Sequence, residues 1–338
     1  MRGDASFTLD VDFGPESVWG VQRYFGEQLR YFDRWLRDVR NGVEDDPPVR
    51  IFVMGGGSGR RLASGKLDHG GRWREELEWP LARAVPTSFH LHGDGSLRPE
   101  PPPVGAAPCT FTFDPEHPVP SIGGLLCQIA ELPPADPAAP EAMWARFLNP
   151  VLRLRNVLGP GPAHQRETPD VFGARPPYPL LCDRPDVRTF QTEPLAEPVE
   201  VTGPIVVHLW IASSAPDTDF TAKLLDVYPP SDDYPRGYHL NLCDSIIRCR
   251  YREGWEREVL MEPGRAYLVT IALPPTSNLF AAGHRIRLDV SSSNFPRLDV
   301  NPNTGEPVGR HTHQIVAHQT VFVDAERPSH AVLPVVPR

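Results

Sequence analysis

No run of 18 apolar residues occurs anywhere in the 338 positions, so no segment is long enough to cross a bilayer as a helix, and no membrane partner is expected. Cysteine is scarce. The five present (Cys109, Cys127, Cys182, Cys243, Cys249) are odd in number and form no CxxC pair. Free thiols in a reducing compartment fit that usage, and a cytoplasmic location is expected. Positive charge is also short, because 34 Lys and Arg stand against 43 Asp and Glu for a net charge of -9. A nucleic-acid surface needs a basic stripe to displace counterions, whereas these arginines are scattered among carboxylates, so no nucleic-acid partner is expected. The opening "MRGDASFTLDVDFG" lacks the basic-then-apolar order of a secretory leader.

Proline is abundant. The 41 prolines and 27 glycines make up about a fifth of the chain and punctuate short β-branched and aromatic runs, the texture of many turns joining strands. Ten strands are predicted at 87–93, 109–114, 187–193, 199–213, 219–228, 245–253, 265–273, 284–293, 319–324 and 330–336. Several alternate apolar with polar residues, as strands with one buried face do. Such a set argues for a β-sandwich of jelly-roll type.

Two regions break the pattern. Residues 15–38 place Val18, Val21, Tyr24, Phe25, Leu29, Phe32, Trp35 and Leu36 at spacings of three and four, which predicts an amphipathic helix with an aromatic face to bury. A short apolar strand follows at 49–54. Residues 133–180 are rich in proline and glycine, with a short helix predicted from Glu141 to Leu148.

The glycine-rich "IFVMGGGSGRR" (51–61) has the look of a functional loop. A nucleophile elbow around Ser58 needs glycine two positions on either side, and Arg60 occupies the second of these. A Walker loop ending at Gly65-Lys66 fails at Arg60 and Leu67, and a dinucleotide fingerprint fails at Arg60. A flexible connector is the expected reading. His90 with His92, and His311 with His313, have the spacing of paired metal ligands on a strand, but no third ligand stands near either pair. His284 and His330 each precede a strand, where structural hydrogen bonding is the default. Asp217, Asp219 and Asp226 could form a carboxylate cluster for metal or acid–base work, or could brace a turn. Asn294, Asn301 and Asn303 fit positive-φ positions. No complete nucleophile–base–acid set emerges, so catalytic, cofactor-binding and metal residues are all expected to be none.

The phrases "GRWREELEWPLARA", "FTFDPEHPVPSIGG", "EVTGP", "DTDFTAKL", "GHRIRLDVSSSNFP" and "PSH" occur in an order that resembles the C-terminal part of the cocaine esterase-like (CocE/NonD) serine hydrolases. That group is related to X-Pro dipeptidyl-peptidases and glutaryl-7-aminocephalosporanic acid acylases. The resemblance implies an α/β-hydrolase domain with a Ser-Asp-His triad, a helical cap and a C-terminal jelly-roll, galactose-binding-like sandwich. The elbow G-x-S-Y-x-G, the aspartate stretch G-W-x-D and the histidine stretch G-P-W-x-H are absent from this sequence. Residues 15–38 look like the last hydrolase helix, so Met1 falls just downstream of the expected histidine. The stretch "GPGPAHQRETPD" resembles a G-P-x-D-Q-R loop at the domain junction, with His164 where aspartate is usual.

The organisation implied is a hydrolase-domain remnant at 1–54, a connector at 55–86 and a sandwich at 87–338. The chain is expected to be the C-terminal portion of an ester or amide hydrolase, inactive alone. Its expected partner is the missing α/β-hydrolase domain or a chain that supplies it, with a second copy of itself as a further partner. The alternatives are half of a split hydrolase, or a stand-alone module binding glycan or protein through Trp73, Trp79, Trp210 or Trp255.

Overall fold

The computed structural model describes residues 5–124 and 161–337. The predicted helix 141–148 and Cys127 lie outside them. In chain order, the N-terminal portion contains β1 (Phe7–Thr8), β2 (Val11–Asp12), α1 (Val21–Arg37), β3 (Val49–Met54), β4 (Leu67–Asp68) and β5 (Gly71–Glu76). There follow β6 (Val85–Leu91), β7 (Leu97–Arg98), β8 (Cys109–Phe113), β9 (Arg188–Gln191), β10 (Val199–Ser213), β11 (Asp219–Val227), β12 (His239–Arg248), β13 (Tyr267–Phe280), β14 (Arg285–Ser291), β15 (Ala317–Phe322) and β16 (His330–Val336). The chain is mainly β, with one α-helix among the described residues.

Two sheets face each other. The larger runs β5-β3-β13-β10-β16-β6-β7, with β15 joining β10 to β8, and the smaller runs β12-β11-β14-β9. Alternation in β10 sends Val201, Ile205, Val207, Leu209 and Ile211 inward, where Val269, Ile271 and Leu273 of β13 join them. Phe220, Ala222 and Leu224 of β11 and Ile286, Leu288 and Val290 of β14 meet them from the smaller sheet. Burying each large aliphatic contributes about 1.5–3 kcal/mol, so this seam is the main source of stability. Pro274 and Pro275 cannot donate to a ladder. They fit because the β10–β13 register slips there, with Gly203 opposite Thr276 and Ile205 opposite Leu273.

Every residue of β11 is buried, on both faces of its sheet. The segment from Pro162 to Val187 accounts for the second face. Gln165 Oε1 accepts from Lys223 Nζ at 2.7 Å, Ala163 N–H donates to Asn241 Oδ1 at 2.8 Å, and Ser291 Oγ donates to Asp186 O at 2.8 Å. The "GPAHQRE" stretch (161–167) therefore makes a third layer over the smaller sheet. A second, smaller cluster of Val11, Phe13, Leu67, Tyr228, Tyr234, Tyr238 and Leu240 ties β1, β2 and β4 to one end of the sandwich.

The connector around Ser58 is not flexible. Gly55, Gly57 and Gly59 donate in sequence to the carbonyls of Gly70, His69 and Asp68 at 3.3, 2.8 and 2.9 Å. A Cβ at Gly57 would sit 2.6 Å from Asp68 O, so the glycines permit a close clasp between two backbones. Composition alone could not distinguish that clasp from a linker.

Candidate functional site

The helix α1 begins after Gly20 and stops at Asp38, whose φ of 56° breaks the helical register. Phe25, Leu29, Phe32 and Leu36 recur at helical spacing along one stripe and are 60, 60, 51 and 76 % exposed, with Tyr31 and Trp35 flanking them at 53 and 54 %. No α1 side chain that the structure describes is buried. Ion pairs hold the helix instead, from Arg30 to Asp46 and from Arg34 to Glu44, and Asn41 Nδ2 donates to Arg30 O at 2.7 Å. Exposed pairs of this kind contribute about 0–1 kcal/mol each. Aromatic side chains carry roughly 150–250 Å2 apiece, so the stripe amounts to an apolar patch of several hundred Å2. The sequence predicts which face of α1 is apolar; the structure leaves that face uncovered.

A cavity of about 320 Å3 is lined by Phe13, Phe52, Met54, Trp79, Leu240 and Leu242, among others. His69, which lines it, belongs to a buried polar relay. His69 Nε2–H donates to Asn278 Oδ1 at 3.0 Å, which leaves His69 Nδ1 to accept from the Tyr228 hydroxyl. Asn278 Nδ2 donates to Asp226 Oδ2 at 3.2 Å, and His284 Nδ1–H donates to Asp226 Oδ1 at 2.7 Å. Burial holds the Tyr228 phenol far above its ordinary range and lowers the His69 imidazole. The relay pairs aspartate with histidine but ends on a phenol that is 6 % exposed, so it fastens the clasp to the sandwich and presents no nucleophile to solvent.

The other candidate residues also find structural partners. Ser58 Oγ donates to Asp68 Oδ2 at 2.7 Å, and no imidazole bonds it. Asp217 accepts from Arg250 and Asn301, and Asp219 from Arg248 and Asn301, which resolves that carboxylate cluster as a brace. Of the three asparagines only Asn303 has positive φ, at 65°. Asn294 and Asn301 act through their side-chain amides, on Asp244 and on the Asp217–Asp219 pair. His92 bonds the Glu100 carbonyl, and His311 and His313 sit on an exposed loop. Trp73 donates to Glu16 O at 2.8 Å and Trp210 is half-buried on β10, while Trp79 is 42 % and Trp255 74 % exposed.

His164 lies where the third layer meets β12. Its Nδ1 accepts the His239 backbone N–H at 3.0 Å, the acceptor role an aspartate would fill, and its ring stacks on Tyr238 at 4.4 Å. Burial, reinforced by Arg166 and Arg287, pushes His164 down to about 4 from 6.5. Between those values the unfolded chain binds a proton that the folded chain refuses. His164 therefore contributes stability that is complete above pH 6.5 and is lost as pH falls toward 4. His164→Gln, which keeps an acceptor but cannot titrate, is expected to flatten the stability slope across that window by about 1.4 kcal/mol per pH unit. Urea unfolding at stepped pH measures it, and an unchanged slope would mean that His164 is already protonated in the fold.

Two facing sheets and an overlying third layer make a β-sandwich, and among the described residues nothing covers the apolar stripe of α1. The model of the X-Pro dipeptidyl-peptidase C-terminal non-catalytic domain matches residues 41–332, and the chain belongs to that family. It is 35 % identical over 342 aligned positions to the cocaine esterase of Rhodococcus sp. (strain MB1 Bresler), covering 97 % of this chain and 49 % of that one. Among solved structures, an aminopeptidase from a marine-sediment Thaumarchaeota archaeon superposes with a TM-score of 0.69 at 26 % identity, over 98 % of this chain and 47 % of that one. An α-amino acid ester hydrolase gives 0.68 at 29 % identity, over 98 and 47 %. The chain thus spans about half the length of the relatives it matches.

Proposed function

We propose that this chain is the non-catalytic sandwich of an acyl-transferring serine hydrolase acting on esters or amides, and that its α1 stripe packs against the α/β-hydrolase domain that carries the triad. The uncovered stripe supports this reading most directly, since a solvated face with four large apolar side chains is costly unless something covers it. The apolar cavity beside Trp79 would then form part of the wall around the hydrolase's substrate.

The 338-residue chain alone is expected to take up no fluorophosphonate, because no serine in the described residues is paired with an activating imidazole. Intact mass after treatment reads the outcome. A single stoichiometric adduct would show an activated serine in this chain and overturn its assignment as a non-catalytic half.

A second reading, glycan binding, rests on one observation. Trp255 is 74 % exposed and lies 5.5 Å from Tyr251, ring to ring, with the planes 31° apart. Quenching of tryptophan fluorescence by oligosaccharides, lost in Trp255→Ala, would favour it.

A further inference from the structure

Three imidazoles stand in one cross-strand row on the larger sheet. His90 of β6 is opposite His330 of β16, and His330 is opposite His208 of β10. Their neighbours Phe89, Leu91, Ala331, Leu333, Val207 and Leu209 point into the core, so the three histidines share the outer face. Neither the sandwich's own stability nor the hydrolase reading calls for them.

We propose that this row binds one late first-row divalent cation, of the Zn2+ or Cu2+ type, held by His330 together with a flanking imidazole. Two imidazoles on one tetrahedral ion, each bonded at about 2.0–2.1 Å, place their ring centres roughly 5 Å apart. The His90–His330 and His208–His330 ring centres are 5.2 and 5.0 Å apart. Adjacent strands have set that spacing in advance.

The nitrogens are also prepared. His330 Nδ1–H donates to the Pro328 carbonyl at 2.8 Å, which fixes the tautomer and leaves Nε2 with a free lone pair. Backbone-oriented imidazoles of this kind are the usual supporting shell of a metal ligand. His208 Nδ1 lies 3.2 Å from Thr270 Oγ1, again leaving Nε2 available. His90 has no hydrogen-bond partner on Nδ1, which is shut off from water. A buried nitrogen without a partner is unfavourable, and coordination would relieve that.

The row supplies nitrogen donors and no carboxylate, which favours ions that take imidazole and disfavours Ca2+ and Mg2+. No three ligating side chains among the described residues converge on one centre. A pair therefore takes the ion first, and the third ring joins by rotating about its side-chain bonds. Arg98, opposite His90 on β7, is turned toward Asp94 and His92.

The test uses the untagged chain, stripped with chelator, titrated with Zn2+ by calorimetry and with Cu2+ by electron paramagnetic resonance. The expected result is one ion per chain, nitrogen hyperfine structure from at least two imidazoles, and no heat with Ca2+. His330→Thr, which removes the shared ligand, should weaken binding by more than about tenfold, and Thr270→Val, which removes only a hydrogen bond behind His208, should weaken it less than His330→Thr does. If His330→Thr does not fold, the double variant His90→Thr/His208→Thr, which leaves His330 alone, must show the same loss. The proposal is overturned if the wild type binds no tighter than these variants, or if binding disappears in His311→Ala/His313→Ala, which would place the ion on the exposed loop.

Discussion

Replacing Phe25, Leu29, Phe32 and Leu36 together by glutamine should leave the stability of the isolated chain within about 1 kcal/mol and abolish its association with an α/β-hydrolase domain of its family. The first half follows from exposure. These side chains are 51–76 % exposed, so little buried area is lost, and glutamine is at least as good a helix former as phenylalanine. The second half follows from covering the stripe. A fully buried Phe or Leu contributes about 1.5–3 kcal/mol, so loss of four such contacts removes enough to convert a stable assembly into none. The catalytic part of the Rhodococcus relative, expressed without its own sandwich, is a suitable partner for sedimentation. Binding retained by the quadruple variant would mean that another surface carries the contact. A drop of several kcal/mol in the chain alone would mean that α1 packs within it.

Arg250→Met is expected to cost about 3–5 kcal/mol. Arg250 is 2 % exposed and its partner Asp217 is fully buried. The arginine donates through N and Nε to Asp217 at 2.9 and 2.8 Å, through Nη1 to Glu258 at 3.0 Å and through Nη2 to Glu306 O at 2.8 Å. It thereby joins the β10–β11 turn, the loop after β12 and the stretch that contains Asn301. Methionine fills the volume but strands the Asp217 carboxylate without its counter-charge. Adding Asp217→Asn to Arg250→Met should recover part of the loss, because the stranded charge is then gone. By contrast, Arg265 pairs with Glu262 where both are 60 % or more exposed, and Arg265→Ala should change stability by less than about 1 kcal/mol. Denaturant unfolding of the three variants measures all of this. Equal losses for Arg250→Met and Arg265→Ala would show that the buried pair has no special weight.

The sandwich was largely legible in the sequence because its strands alternate. The predicted runs 199–213 and 330–336 coincide with β10 and β16. The start of β12 was missed: "HLNLCD" mixes His239, Asn241 and Asp244 into positions that are all buried, and polar residues at core depth erase the period-two signal. β5, "GRWREE", was missed because it is largely charged and only Glu76 is buried, with Arg74 pairing to Glu200 and Glu76 to Arg83. For α1, periodicity identified the apolar face but carries no information on what lies against it. Family membership was readable from phrases such as "DTDFTAKL", yet the tasks of Asp217 and Asp219 were not, because their arginines and Asn301 arrive from distant strands. The histidine row was invisible for the same reason, since only the strand register sets His90, His330 and His208 side by side.

That register has a consequence for how the chain is made. β16 lies between β10 and β6, so the last strand of the larger sheet in chain order occupies its middle. Every other strand of that sheet leaves the ribosome first, with β10 and β6 still waiting for the partner that will join them. Until residues 330–336 arrive, both present unpaired backbone edges flanked by Val, Ile and Phe, the kind of surface that recruits foreign strands. Closure of the larger sheet therefore waits for residues 330–336. A chain cut short before residue 330 should be protease-sensitive throughout the larger sheet and bound by chaperones, and one that includes residues 330–336 should be resistant.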